Sequence, residues 1–298
     1  MKQGIGIKEF FIITRAWSLN LTFISVTLPT VFALQSGSIS VPLYFFSLFA
    51  AMAFHLGANC LNDYFDLINK IDSPLAPTAL CRPHPVFTNL LEPKELLFLG
   101  TLLLGISVSF GIFFTIFISY WIGALLVLGL FFAVFYTARP FGLKYIQLGE
   151  LVMFVAFGPL MMEGIYCLQR NSLSWEIFYL SIPIGFLVAA VLLSNNLRDR
   201  EFDKACRIKT LSIDLGQKKS LYLYNALCLL SFALILIYIS LNLLPYKGLI
   251  IFLSLPFCLK NMREFSKKVP LNADIKTARF AFSFGVLLII SLIANLIF

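Results

Sequence analysis

The stretch Asn59-Cys60-Leu61-Asn62-Asp63-Tyr64-Phe65-Asp66 closes an apolar run that begins near Val41, and Asp72 follows soon after. Two amides and two carboxylates thus stand at the end of a membrane-length helix, with a third carboxylate just beyond. Ionisable groups at membrane depth are costly and mark substrate or ion sites more often than structural ones. In a helix, Asn59 and Asp63 are four residues apart, as are Asn62 and Asp66, while Asp63 and Asp66 are three apart. Such neighbours present their oxygens together. An all-oxygen set of this kind suits a hard divalent cation, Mg²⁺ above all when phosphates complete its shell. The plainer alternative is a solvated helix end with ordinary caps.

A second stretch, Asn195-Asn196-Leu197-Arg198-Asp199-Arg200-Glu201-Phe202-Asp203, closes another apolar run. Asn195, Asp199 and Asp203 fall at successive four-residue steps and form one stripe on a helix face. Two amide-plus-carboxylate stripes, each at a helix end, read as two halves of one polar site.

The whole composition fits a membrane setting. Of 298 residues, 59% are hydrophobic and 13% charged, and the mean hydropathy is +0.89. Repeated long apolar runs of this kind exclude an ordinary soluble domain. Six cysteines (Cys60, Cys81, Cys167, Cys206, Cys228 and Cys258) are scattered without a C-x-x-C pair and read as packing residues. Lys2 and Lys8 precede the first apolar run, but Arg15 interrupts it and no small-residue cleavage site is clear. The start reads as a retained cytoplasmic end rather than a secretory signal.

The expected fold is all-α: a polytopic bundle of nine transmembrane helices around a central cavity. The expected spans are Ala16–Leu34, Val41–Asn62, Leu96–Ile118, Trp121–Thr137, Leu148–Cys167, Phe178–Leu197, Leu221–Leu241, Lys247–Leu259 and Ala278–Phe298. The eighth is short for a span of about 20 residues. Charge tests the count. With alternating helices, 21 of the 23 basic residues fall on the side of the N-terminus, and only Arg170 and Lys247 fall opposite. The positive-inside rule makes the crowded side cytoplasmic. The net charge of +8 is therefore topological and does not point to nucleic acid, although it also favours anionic lipid or substrate at that face. Both acidic stripes lie on this side. The loop after the first stripe runs for about 30 residues, long enough to act as a lid. The chain reads as one domain, 1–298, and the matching stripes four helices apart hint at a duplication of helices 1–4 in 5–8, with a ninth added.

Carboxylates alone would repel a diphosphate; with Mg²⁺ between them they bind it, and the metal neutralises charge on a leaving pyrophosphate. Lys70, Arg82, Arg139, Lys144, Arg198 and Lys209 are available to complete such a clamp. For any one of them, topological bias is the better explanation; for the set, phosphate binding is. A membrane enzyme with a diphosphate site implies a lipid-linked diphosphate. The 32 Phe and 11 Tyr offer aromatic walls for an isoprenoid tail and its allylic cation, although Phe is common in any membrane core. His55 precedes Asn59 by one turn and reads as a structural polar contact. Glu150 opens the fifth expected helix, where capping and catalysis both suit a carboxylate. Glu163 reads as structural.

These residues resemble a known family. Asn62–Asp72 (N-D-Y-F-D-L-I-N-K-I-D) and Asn195–Asp203 (N-N-L-R-D-R-E-F-D) are similar to the two aspartate-rich motifs of the UbiA superfamily of intramembrane prenyltransferases. Tyr136-Thr137-Ala138-Arg139-Pro140, Leu143-Lys144-Tyr145, Leu148-Gly149-Glu150, Phe157-Gly158-Pro159 and Lys209-Thr210-Leu211 look like blocks of the branch that prenylates 1,4-dihydroxy-2-naphthoate. The longer spacing from Asp66 to Asp72 also resembles that branch more than the 4-hydroxybenzoate branch. Two places depart from the pattern. Thr88-Asn89 stands where a Ser-Gly turn is usual after the pair at Arg82-Pro83, and Ala138-Arg139 replaces a typical Gly-Gly. Both departures bear on the acceptor pocket.

The resemblance implies a membrane prenyltransferase with Mg²⁺ held by Asn62, Asp63, Asp66, Asn195, Asp199 and Asp203. It implies a substrate-binding set of Asn59, Lys70, Arg82, Lys144, Tyr145, Arg198 and Lys209, with Lys144, Arg198 and Lys209 on the diphosphate oxygens. Asp63, Asp66, Asp72, Asp199, Asp203 and Tyr136 form the implied catalytic set, in which Asp72 or Tyr136 orients or deprotonates the phenol. The substrates are a polyprenyl diphosphate and a small aromatic acceptor, and the product is a demethylmenaquinone formed with loss of carbon dioxide. The implied location is a bacterial cell membrane, among its lipids, with the site toward the cytoplasm. Rival readings are the same chemistry on 4-hydroxybenzoate, homogentisate or a porphyrin-type alcohol, and a polytopic transporter. A transporter places titrating carboxylates near mid-membrane, whereas these lie at helix ends. A CDP-alcohol phosphotransferase is disfavoured because its D-G-x-x-A-R motif is missing.

Overall fold

The computed structural model describes residues 6–206 and 208–297; Lys2, Arg207 and the expected end at Phe298 lie outside them. Every regular element is helical: α1 (Ile7–Thr14), α2 (Leu19–Ala33), α3 (Val41–Ile68), α4 (Pro77–Cys81), α5 (Pro93–Phe117), α6 (Tyr120–Phe135), α7 (Gly149–Val155), α8 (Met161–Arg170), α9 (Trp175–Ala205), α10 (Leu211–Ser240), α11 (Leu255–Lys267) and α12 (Ala273–Ile297). Local sequence explains several starts. The Ser40 hydroxyl accepts from Leu43 N–H at the head of α3, and Ser174 does the same for Ile177 at the head of α9. Glu92 and Glu95 form a reciprocal capping box on α5, with Pro93 in its first turn. The buried Glu163 carboxylate accepts from Ser174 N–H at 3.1 Å, a structural role at the far end of the molecule.

Among the described residues, seven helical segments are long and apolar enough to cross a membrane, so the chain is an integral, multi-pass membrane protein. The expectation of nine such spans is not confirmed, and two of the expected spans differ in form. The expected Trp121–Thr137 span is α6, an apolar helix of only 16 residues. The expected Lys247–Leu259 span is a 3-10 segment, Tyr246–Ser254, continued by α11. Pro256 in the first turn of α11 lacks an N–H to continue a helix begun before it. The apolar runs also mark the ends of α3 and α9 too early. Both helices continue past Asn62 and Leu197, through Ile68 and Ala205, and carry the acidic residues as regular turns.

The core lies where α2, α9, α10 and α12 pack together, around Leu28, Leu187, Leu193, Ile235, Phe280 and Phe284. A second contact lays α3 along α5. Helices α7 and α8 form one bent span, broken at Ala156–Leu160 by a π turn. Gly158 departs from helical angles there, and Pro159 removes a donor. The bend presses onto α9: a Cβ on Gly185 would lie 2.8 Å from Phe154 O, and one on Gly158 would lie 3.0 Å from Ser181 O. Cys60, Cys167, Cys228 and Cys258 are buried as packing residues, whereas Cys81 and Cys206 are exposed.

Candidate active site

The first motif is two rows rather than one stripe. Because α3 stays regular, Asn59 and Asp63 share one row, and Asn62 and Asp66 share the next. The first row faces the chain's beginning. Asn59 Nδ2 donates to Thr14 O at 3.1 Å and to Ser18 Oγ at 3.3 Å. The fully buried Asp63 carboxylate is held by two guanidiniums, Arg15 and Arg82; the Arg82 contacts are 2.6 and 3.0 Å. The second row faces the connection after α6. Asn62 Oδ1 accepts from Thr137 Oγ1 at 3.2 Å. Asp66 accepts from Lys144 Nζ at 2.7 Å and from the Tyr145 hydroxyl.

Turn geometry brings these partners in. Lys70 adopts a left-handed conformation (φ 58°) after α3, and Ile71 N–H returns to Asp66 O at 2.9 Å, a helix-ending reversal that folds Asp72 back toward the motif. After α6, Gly142 is left-handed (φ 51°) and Lys144 N–H bonds Tyr136 O at 2.9 Å. That turn aims Lys144 and Tyr145 back at α3. Burial disfavours the Lys144 ammonium, but Asp66, Tyr136 and Asp72 outweigh it and hold its pKa above the usual lysine range. Burial likewise opposes charge on Arg15, and Asp63, Asp72 and Asp66 together outweigh it.

The second motif is organised by its own arginine. Arg198, whose side chain is 2% exposed, donates from Nε to Asp199 Oδ1 and from Nη2 to Asp199 Oδ2, both at 2.8 Å. It also reaches Asn195 Oδ1, Asp274 Oδ1 at the start of α12, and Thr78 Oγ1 in α4. Thr78 Oγ1 donates to Asp199 Oδ2 at 2.6 Å. Asp203 is half-buried and, among the described residues, has no side-chain hydrogen bond or ion pair. Asn196, on the neighbouring row, donates to the buried Glu150 carboxylate at 2.9 Å, so Glu150 braces α7 against α9.

A strap therefore joins the halves: Thr78 touches the second motif and Arg82, four residues on, touches the first. Beneath it lies a cavity of about 370 Å³ whose polar mouth includes Arg15, Asn59, Asn62 and Asn195. The walls below are apolar, with two polar exceptions. The Tyr136 hydroxyl is buried and has no hydrogen-bond partner among the described residues. His55 bonds Thr22 Oγ1 at 2.6 Å and Ser18 Oγ at 3.1 Å, with its ring edge against Phe157.

Asn62 and Asn195 line the mouth, and Asp66, Asp199 and Asp203 stand one or two turns further along the same helices; the set is all oxygen and fits a hard cation such as Mg²⁺. Asp63 is placed differently from the other expected ligands, because both its oxygens already face guanidiniums. Asp63, Asp72 and His84 also lie close, with one ligand atom from each within 4.8 Å of the others. However, Val86 N–H donates to His84 Nδ1 at 3.2 Å, which leaves the ring proton on Nε2, 3.2 Å from Asp72 Oδ2. Nε2 and Asp72 Oδ2 make no hydrogen bond among the described residues, and a protonated Nε2 offers no lone pair to a metal.

Of the expected site residues, Asn59, Asn62, Asp63, Asp66, Asp72, Arg82, Tyr136, Lys144 and Tyr145 gather around the first motif, and Asn195, Arg198, Asp199 and Asp203 around the second. Lys70 and Lys209 are exposed, line no part of the cavity, and form no ion pair among the described residues. Arg15, Thr78, His84, Thr137 and Asp274 join the site without having been expected there. Arg15 left one visible signal, a charge interrupting the first apolar run.

Two carboxylate–amide helix ends stand over one apolar cavity in a membrane-spanning bundle. The UbiA prenyltransferase family model matches residues 23–285, and the chain belongs to that family. It is 27% identical to the 1,4-dihydroxy-2-naphthoate octaprenyltransferase of Bacillus subtilis (strain 168), over 99% of this chain and 94% of that protein. It is 31% identical to UbiA prenyltransferase domain-containing protein 1 of Xenopus tropicalis over 73% of this chain, which spans 63% of that relative. A solved UbiA homolog from Archaeoglobus fulgidus, bound to GPP and Mg²⁺, shares the fold with a TM-score of 0.61 at 14% identity, over 94% of this chain and 99% of that one.

Proposed function

We propose that this protein transfers a prenyl group from a prenyl diphosphate to 1,4-dihydroxy-2-naphthoate in a Mg²⁺-dependent reaction with loss of carbon dioxide, giving a demethylmenaquinone. One observation carries the reading: Asn62 and Asn195, one from each motif, stand together on the mouth of a single apolar cavity. A diphosphate head then sits at the mouth and its isoprenoid tail lies below. The Bacillus relative's name supports the choice of naphthoate. The basic bias of the mouth end supports a cytoplasmic orientation.

Asn62, Asp66, Asn195, Asp199 and Asp203 would hold Mg²⁺, which when bound neutralises charge gathering on the leaving diphosphate. Lys144 and Arg198 lie beside these carboxylates and contact the diphosphate oxygens. The strap from Thr78 to Arg82 covers the mouth and limits water. Tyr136 offers its hydroxyl to the acceptor's phenolic oxygen, and Asp72 receives the proton. Phe132 and Phe157 border the cavity and face the allylic cation with aromatic rings.

The test is a membrane assay with radiolabelled prenyl diphosphate and Mg²⁺, offering dihydroxynaphthoate and 4-hydroxybenzoate separately. The expected result is a prenylated, decarboxylated naphthoquinol with the first acceptor only. Product with 4-hydroxybenzoate alone would overturn the acceptor. Absence of Mg²⁺-dependent diphosphate binding would overturn the reaction class.

A further inference from the structure

The second motif has a rotational setting as well as a spacing. Asn195 lines the mouth, and Asp199 and Asp203 follow it along one row of α9. Where that row points depends on how α9 is rolled about its own axis. At a side-chain radius of about 5–6 Å, a roll of about 20° moves a carboxylate oxygen roughly 2 Å. An Mg–O bond is itself only about 2.1 Å long, in an ion that demands near-ideal geometry. A motif of this kind therefore needs its helix held against rolling.

The adjacent Asn196 is where α9 is held. It is 4% exposed and is pinned on two sides. Its Nδ2 donates to Glu150 Oε1 at 2.9 Å, and its carbonyl accepts from Ser212 Oγ at 2.9 Å. On the first side, Gly149 and Glu150 open α7. A Cβ on Gly149 would lie 3.2 Å from Leu192 Cδ2, 3.4 Å from the Tyr136 hydroxyl and 3.7 Å from Lys144 Cα. That turn thus touches α9 and also the connection whose Lys144 holds Asp66. On the second side, the Ser212 proton is spent on Asn196, so Thr210 Oγ1, 3.1 Å from Ser212 Oγ, is the donor there. Ser212 O accepts from Arg200 Nε at 3.2 Å and from Ser220 Oγ at 3.4 Å. Thr210, Ser212 and Ser220 are at most 1% exposed. The two segments are the Leu148-Gly149-Glu150 and Lys209-Thr210-Leu211 blocks of the sequence, yet Glu150 and Thr210 line no part of the cavity.

We propose that Glu150 and Ser212 are positioning residues: through Asn196 they fix the roll of α9 and so register the second motif against the first. The inference rests on the Mg²⁺ and prenyl-diphosphate reading above. The strap from Thr78 to Arg82 joins the motifs over the mouth, and this joint joins them from within the bundle. Glu150 acts as an acceptor oxygen for Asn196 and transfers no proton.

The experiment titrates Mg²⁺ against binding of farnesyl diphosphate to the full chain in lipid nanodiscs, with thermal unfolding followed alongside. Glu150→Ala strips Asn196 of its acceptor and should raise the half-saturating Mg²⁺ concentration about ten-fold, the size of one buried hydrogen bond. Glu150→Gln keeps an acceptor oxygen and should stay within about two-fold of the parent. Ser212→Ala frees only the carbonyl side and should give about a three-fold rise; it carries the test with Glu150→Gln if Glu150→Ala does not fold. Asn196→Ala should match Glu150→Ala, and the double variant should be no worse than either. A loss in Glu150→Gln as large as in Glu150→Ala would give the work to the carboxylate's charge and overturn the positioning role. Mg²⁺ curves that stay in place while melting temperatures fall would reduce the joint to packing and overturn it too, with the prenyltransferase reading intact. Parent protein that binds no farnesyl diphosphate with Mg²⁺ would overturn both.

Discussion

The two aspartate motifs look alike in the sequence and are held in opposite ways. Asp63 and Asp66 receive their cations from elsewhere in the chain: Arg15, Arg82 and Lys144. Asp199 receives its cation from the adjacent Arg198 on the same helix, which in turn ties down α4 and α12. The first motif is thus a product of tertiary folding, whereas the second arrives with its own counter-ion and uses it as a tie. Alike spacing gives alike oxygen geometry. It does not give alike electrostatics, because partners come from wherever the fold brings charge.

The sharpest way to test whether both motifs serve one reaction is to neutralise one carboxylate in each. Asp66→Asn and Asp199→Asn should each lower turnover on the order of a thousand-fold, with membrane insertion and detergent stability retained. A large loss at one site with near-normal turnover at the other would mean that only one motif binds the metal. Next comes the contrast in holding. Arg82→Ala leaves a fully buried carboxylate with one partner fewer, so it should cost about 3 kcal/mol of stability. Adding Asp63→Asn should recover much of that loss in thermal unfolding. If Asp63→Asn restores nothing, the guanidinium is not there to serve that carboxylate.

Tyr136→Phe removes a hydroxyl that has no partner among the described residues. The melting temperature should stay within error while kcat falls about a hundred-fold. A stability loss without a rate loss would assign the hydroxyl to packing. The smallest effect belongs to Lys209, exposed and outside the cavity. Lys209→Ala should shift KM for the diphosphate less than about two-fold, within the ordinary range of surface changes. A larger shift would show that the loop carrying Lys209 closes over the substrate.

Much of this site was legible because helices impose a simple rule. Four-residue spacing of Asn62 with Asp66 and of Asn195 with Asp199 places oxygens on one face wherever the helix ends. Hydropathy located most of the long spans for the same reason. It failed where apolar content and helix length part company. α3 and α9 continue as polar helices beyond their apolar runs, held by side-chain pairs that no hydropathy window sees. The region before α11 is apolar yet runs as a 3-10 segment into Pro256. Arg15, Thr78 and Asp274 were not legible as site residues for a different reason. Thr78 and Asp274 are ordinary residues in their local sequence, Arg15 shows only as a charge in an apolar run, and all three become part of the site through partners 121, 76 and 48 residues away.

The clamp on Asp63 has a consequence for how the protein is made. Arg15, Asp63 and Arg82 all lie within the first 82 residues, ahead of most of the bundle. Synthesis proceeds from the N-terminus, so this ion cluster can close while the second motif is still on the ribosome. A lone carboxylate entering lipid would draw a heavy penalty; one already shared by two guanidiniums has its negative charge compensated. The nascent half-site can therefore wait in the bilayer for α9 without metal, substrate or chaperone to shield its charge.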